Sequence, residues 1–315
     1  MYDSVQYIGV ELVTDAKQGL YDENKDIEYR LEVIKDIIDK AQEKGNISPD
    51  RNCLKIVAFP EFLFRGSIGA YDMEKTSEIV EKLRDMVNKP RFKDWLFVFG
   101  TIVGYSKSEK YEEMPYETYN FSFIQEGNKG EENSYIVLKK RMSMIDFDLG
   151  YKKGCITTSN SYYLTPLKAK NIRGEEKIVN YDGNCILNVG GLRIGVEICL
   201  DNLQNRINPL IKYNKNLDVH LVVSCGIDMD DLKNYGKLHN NGVFMLTDGS
   251  LGEVKIGVHR KRKLPKETVI KYSPKDVEIF KKLFSIDRAS ISVFEPTKVL
   301  EKKKEKDKDL DMPRL

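Results

Sequence analysis

Three places in this chain end an apolar run on a side chain that can do chemistry. Cys199 closes LRIGVEIC and is followed at once by Leu200-Asp201-Asn202. Glu61 follows LKIVAFP, just past a proline that stops strand pairing. Lys139 and Lys140 close YIVLKK. A thiolate can attack a carbonyl carbon, a carboxylate can take the thiol's proton, and an ammonium can steady the oxyanion that forms. Where a strand gives way to a helix, a cysteine points its sulfur out of the sheet, close to a helix N-terminus that favours the thiolate. Each residue also has a plain reading. Free cysteine often fills core, a lone glutamate after a strand is a loop acid or a cap, and paired lysines at a strand end are commonly solvated. Side chains alternate along a strand, so only one of Lys139 and Lys140 shares a face with Val137.

The elements that must position these groups alternate in type. Strands are predicted at Tyr7–Leu12, Leu54–Phe59, Leu96–Tyr105, Asn120–Gln125 and Tyr135–Lys140. Further strands are expected at Cys185–Val189, Leu192–Cys199, Asp218–Ser224, Val243–Thr247 and Glu253–Val258. Gly190-Gly191 reads as a two-residue hairpin turn. Ile27, Leu31, Ile34, Ile38 and Ala41 recur at helical steps over Asp26–Lys44, and a second helix runs from Met73 to Asn88 before Pro90. Helices are also expected after Asp201 and near Asp230–Asn240. Strand and helix alternate without a Pro/Gly/Ser linker, which predicts one α/β domain over residues 1–300. The stretch 301–315 (EKKKEKDKDLDMPRL) alternates in charge and reads as a disordered tail. Ser224-Cys225-Gly226 ends a strand on the side where Cys199 ends its own, so Ser224 and Cys225 are expected to line the pocket, with Cys225 inert.

These pieces together resemble the nitrilase, or carbon–nitrogen hydrolase, superfamily. FPE at 59–61, the strand-borne lysine at 139–140 and GVEICLDN at 195–202 stand in that family's order. YIGVEL, YNFSFIQEG at 119–127 and NNGVFMLTDGSLG at 240–252 are similar to its opening strand, central segment and small-residue loop. The resemblance covers roughly residues 5–260. It implies a four-layer αββα sandwich, commonly a homodimer or larger homo-oligomer, with Glu61 as general base and Cys199 as nucleophile. The family's aromatic-x-Lys-x-His-hydrophobic pattern fits better with Lys139 at the lysine, which puts Val137, Arg141 and Met142 at the other three places. Lys140 is the alternative register, with Met142 and Ser143 at the last two. Neither register restores the aromatic or the histidine. The resemblance also makes the backbone N–H of Leu200 a second oxyanion donor, and places Asp201 at a usual acidic position, where it reads as an N-cap holding the turn. Asp146 and Asp148 lie where many members carry an extra pocket acid, and a loop acid is an equal alternative.

Composition bounds the function class. Lys+Arg number 51 against 49 Asp+Glu, a formal charge of +2, which gives no footprint for nucleic acid or membrane. The basic cluster HRKRKLPK at 259–266 lacks interleaved aromatics and reads as a solvated loop. Neither a GxGxxG motif nor a phosphate-binding loop follows a strand. The three histidines, 220, 239 and 259, are dispersed, so no metal or other cofactor is expected. Five scattered cysteines (53, 155, 185, 199 and 225) without a C-x-x-C pair point to a reducing compartment. With no signal-like N-terminus and no spanning apolar run, the expected location is the cytoplasm. The expectation is an amidase-like hydrolase of a small non-peptide amide, working through a thioester with Glu61, Lys139 and Cys199. The alternatives are N-acyl transfer, a carbamoyl or ureido substrate, or a catalytically dead relative that binds a ligand through the same pocket.

Overall fold

Strands that are apolar on both faces need cover on both sides. A computed structural model of the chain describes residues 1–14, 19–107, 116–141, 146, 155–157, 168–170, 176–178, 185–204, 206–207, 216–227, 238–260, 263–284 and 289–299. The helices are α1 Glu23–Lys44, α2 Met73–Val87, α3 Leu200–Leu203 and α4 Val277–Leu283. The first strands are β1 Ser4–Glu11, β2 Cys53–Ala58, β3 Tyr71–Asp72, β4 Trp95–Val98, β5 Ile102–Lys107 and β6 Tyr116–Glu126. Next come β7 Ser134–Leu138, β8 Cys155–Thr157, β9 Lys168–Lys170, β10 Glu176–Ile178, β11 Ile186–Val189 and β12 Leu192–Ile198. The last are β13 Leu217–Ser224, β14 Leu238–Asp248, β15 Glu253–Val258, β16 Glu267–Lys271, β17 Ser290–Phe294 and β18 Thr297–Lys298.

The protein is α/β, with two large sheets. The larger has 11 strands in the order β16-β17-β1-β2-β4-β6-β5-β3, with β18 on β1 and both β7 and β8 on β6. The smaller has five, β11-β12-β13-β14-β15, and β12, β13 and β14 run parallel. Alternation along β1 sets the layers: Val5 and Tyr7 leave one face, Ile8 and Val10 the other. Val5 and Tyr7 join Leu54, Ile56 and Leu96 in one core cluster with Ile194, Val196, Leu221 and Met245 of the smaller sheet. Ile8 and Val10 join Val57 and Phe97 in a second cluster, closed by Ile34 and Ile38 of α1, Ile79 and Leu83 of α2, and Phe280 and Leu283 of α4. α1 starts where Asp22 accepts from the Lys25 N–H, as a capping acid should, and ends at Gly45. Among the described residues no helix is long and apolar enough to cross a membrane.

Three expectations need correction. The apolar run Leu96–Tyr105 is two strands, broken at Phe99-Gly100-Thr101. Gly100 has φ +48°, and a Cβ there would come within 1.9 Å of the Pro60 carbonyl, so this bend needs glycine. The strand that carries the lysines stops at Leu138 rather than Lys140. Residues 238–240, expected in a helix, open β14, while 230–237 lie outside the described residues. In addition, the segment after 260, for which the sequence pattern predicts no element, adds β16, β17 and β18 to the larger sheet, with Ile8 opposite Val293. Short apolar runs between charged stretches carry too little periodicity to reveal such strands. The Gly190-Gly191 hairpin has φ +55° and +92°, the left-handed geometry of its turn type. Asp148, Met142 and the segment 301–315 lie outside the described residues.

Candidate active site

Cys199 sits at the turn between β12 and α3. Its N–H donates to the Val223 carbonyl at 2.9 Å, and its carbonyl accepts from the Asn202 N–H at 2.9 Å. Between those bonds its backbone holds φ 45° and ψ −116°, a conformation that non-glycine residues avoid and that clusters at functional sites. Cys199 is itself the residue before the first helical turn, and its thiol makes no capping bond.

Asp201 is therefore not the cap expected of it. It lies inside α3, and its carboxylate reaches across to the other sheet. It accepts from the Lys140 N–H at 3.0 Å, from the Arg141 N–H at 2.7 Å and from Arg206 Nη1 at 2.7 Å. The same Arg206 nitrogen donates to the Leu138 carbonyl at 2.6 Å. Asp201 and Arg206 thus clamp the end of β7 onto the turn that follows Cys199. Asp201→Ala would take the Asp201 carboxylate away from a buried guanidinium. The expected loss is about 3–5 kcal/mol of unfolding free energy, read from urea denaturation, the scale for breaking a buried ion pair.

The clamp holds the segment that contains Lys139. Past the end of β7, the Lys139 N–H still donates to the Asn120 carbonyl at 2.8 Å, so the ladder runs one residue further and the side chain turns inward. Lys139 is 2% exposed, and its Nζ donates to Glu61 Oε1 at 2.9 Å and to Asp146 Oδ1. Lys140 points to solvent. Glu61 is fully buried. Its N–H donates to the Ser224 carbonyl at 3.3 Å, its own carbonyl accepts from the Thr14 hydroxyl, and Thr101 Oγ1 accepts from the next N–H, that of Phe62, at 2.8 Å. The break at Gly100 is what brings Thr101 to that place. Asn120 Nδ2 donates to Glu61 Oε1 at 3.0 Å and reaches Asp146 Oδ1 at 3.4 Å. Ser224 donates its hydroxyl to Asp248 at 2.6 Å, and the Cys225 backbone hydrogen-bonds the Cys199 thiol. Cys225 itself is buried beside Phe62, Ala70 and Val103.

Electrostatics follow from one cation among several acids. Burial pushes the Glu61 carboxyl up to about 7; Lys139 opposes this and Asp146 adds to it. For Lys139, burial favours the neutral amine, but Glu61 and then Asp146 outweigh it and hold the ammonium above its ordinary value. Burial raises the Cys199 thiol, and the Glu61 charge raises it further against the pull of Lys139. The expectation that a helix N-terminus favours the thiolate does not fit: α3 is four residues long and offers the sulfur no bond. These surroundings favour the thiol over the thiolate. Among the described residues, no group of three or more His, Cys, Asp or Glu side chains is arranged to hold a metal ion.

Sequence reasoning passed over Asn120 and Arg206. The pair Tyr119-Asn120 was legible as part of a strand and of the family's central segment, with no sign that Asn120 meets Glu61, and an arginine five residues past Asp201 carries no signal of its partner.

No protein-family model and no curated protein matches the chain. Solved structures do. An amidase of the nitrilase superfamily from Nesterenkonia sp. AN1 aligns with a TM-score of 0.49 at 11% identity, covering 92% of this chain and 90% of that one. A variant of that amidase in complex with butyramide gives 0.49 at 12% identity, covering 93% and 91%. The likeness is to nitrilase-superfamily amidases. A glutamine-dependent NAD(+) synthetase from Cytophaga hutchinsonii gives 0.41 at 14% identity over 78% of this chain, which spans only 36% of that enzyme. At these scores and identities, chemistry has to come from the side chains themselves.

Proposed function

We propose that this protein is a carbon–nitrogen hydrolase that cleaves a small non-peptide amide through a thioester on Cys199. The observation that carries the reading is a buried Glu61–Lys139 pair, shared with Asp146, whose charge acts on a thiol held at a strained strand end. A structural ion pair has no need of a nucleophile beside it, and a base poised near neutrality is what a thiol of raised pKa requires.

In this reading Glu61 takes the Cys199 proton as the sulfur bonds to the amide carbon and the carbonyl π pair moves onto oxygen. Lys139 and the Leu200 N–H face that oxyanion. Collapse breaks the C–N bond, and Glu61 returns the proton to the departing amine. Water, deprotonated by Glu61, then adds to the thioester carbon; the S–C bond breaks, Glu61 returns the proton to the Cys199 sulfur, and the carboxylic acid leaves. The charge count favours this route. A lone thiolate would add another anion to a site that already sets Glu61 and Asp146 against one Lys139, whereas moving the proton onto Glu61 leaves the total unchanged. Transfer of the acyl group to an amine in place of water uses the same first half.

The test is intact-protein mass spectrometry after incubation with short aliphatic amides, butyramide among them, and with a ureido acid. The expected result is an added acyl mass on the Cys199 peptide together with ammonia release. No adduct and no ammonia across the panel would remove the hydrolase reading.

A further inference from the structure

The two oxygens of Glu61 are in different circumstances. Oε1 accepts from Lys139 Nζ at 2.9 Å and from Asn120 Nδ2 at 3.0 Å. Oε2 is buried and has no hydrogen-bond partner among the described residues. A proton placed on Oε1 would have to displace two donors, whereas one placed on Oε2 displaces none. Asn120 is also fixed in sense. Its amide nitrogen lies between two carboxylates, Glu61 at 3.0 Å and Asp146 at 3.4 Å, so turning the amide over would set its carbonyl oxygen against both anions. Its backbone is held on both sides, paired with Val103 of β5 and accepting from the Lys139 N–H.

We propose that Asn120 is a positioning residue of the reaction: with Lys139 it anchors Glu61 by Oε1 and so assigns the proton exchange with Cys199 to Oε2. This rests on the hydrolase reading. In the acylation step the S–H bond breaks and its proton goes to Oε2 while the S–C bond forms. When the C–N bond breaks, the same oxygen gives that proton to the departing nitrogen. Asn120 does its part as a neutral donor, so it orients the base without changing the charge of the site. Among the described residues, the titratable groups that face Glu61 are Lys139, Asp146 and Cys199.

A donor to an ionised carboxylate lowers its pKa, so removing Asn120 raises that of Glu61, which already stands at about 7. The ionised base is then lost at neutral pH and regained only at higher pH. The measurement is the rate of Cys199 alkylation by iodoacetamide from about pH 5 to about pH 9, a window that brackets the expected midpoint, followed by peptide mass spectrometry. In Asn120→Ala the midpoint of the rise should move up by about one pH unit, the scale of one hydrogen bond to a charged group. Asn120→Asp, nearly isosteric and able to carry the test if the alanine variant fails to fold, should move it further because it adds an anion. A midpoint that stays in place overturns the proposal, whether the rate is unchanged or lowered equally at every pH. Failure of the hydrolase reading has a different signature: in the wild-type protein Cys199 would alkylate no faster than the core residue Cys53.

Discussion

Cys199→Ala should lose turnover by about 10⁶-fold, the scale for removing a nucleophile from a group of residues that act as a unit. The protein should stay folded. Alanine keeps the Cβ and the backbone bonds to Val223 and Asn202, so the stability cost should be ordinary, about 1 kcal/mol. Cys53→Ala and Cys185→Ala are the controls. Both residues are fully buried, Cys53 within β2 and Cys185 beside β11, each in core packing, and both variants should keep activity. Ammonia release and a urea unfolding curve for all three variants check this directly. Hydrolysis that persists in Cys199→Ala would end the thioester mechanism.

Lys139→Ala should cost at least 10²–10³ in kcat, about what one oxyanion donor is worth. The loss should exceed that range, because the same ammonium compensates two buried carboxylates. Without it, Glu61 and Asp146 face each other as like charges, at least one takes up a proton, and the base is gone at neutral pH. Stability should fall as well, by about 3–5 kcal/mol, since the variant leaves uncompensated buried charge. Lys140→Ala should change stability by no more than about 0.5 kcal/mol and the rate little, because its side chain is solvated and only its backbone N–H meets Asp201. Both variants are to be measured on whichever amide gives the acyl adduct. The opposite ranking would move the oxyanion role to Lys140; two near-normal rates would overturn the assignment of Glu61, Lys139 and Cys199 as a set.

Much of the fold was legible because local pattern determines local structure. The helical spacing of Ile27, Ile34 and Ile38 and the two glycines at 190 and 191 act through neighbours in sequence. LKIVAF reads as a strand because both faces are apolar, as β2 requires between two cores, and LRIGVEI because Leu192, Ile194, Val196 and Ile198 give it one continuous apolar face. The break at Gly100 was not legible. Its cause is the Pro60 carbonyl, distant in sequence, and nothing in LFVFGTIVGY announces that neighbour. The strands after residue 260 were missed for the opposite reason: they are short, and they are strands because β1 offers an edge to β17 and β18, and β17 in turn to β16.

For the site, the sequence by itself determined which residue types stand at the ends of apolar runs: a thiol at 199, a carboxylate at 61 and two lysines at 139 and 140. It also determined that the two lysine side chains must part, since one-residue steps along an extended chain reverse the face. Only the tertiary structure decided which lysine turns inward. That choice depends on the Asn120 carbonyl that receives the Lys139 N–H, and on Asp201 and Arg206, which hold the next two residues from the other sheet. It likewise decided that Asp201 clamps rather than caps, and that burial raises the pKa of the thiol where a helix end was expected to lower it. The physical reason is common to all three. Burial and hydrogen-bond partners set these properties, and they exist only once residues 61, 120, 139, 146 and 201, remote in sequence, have been brought to one end of two packed sheets.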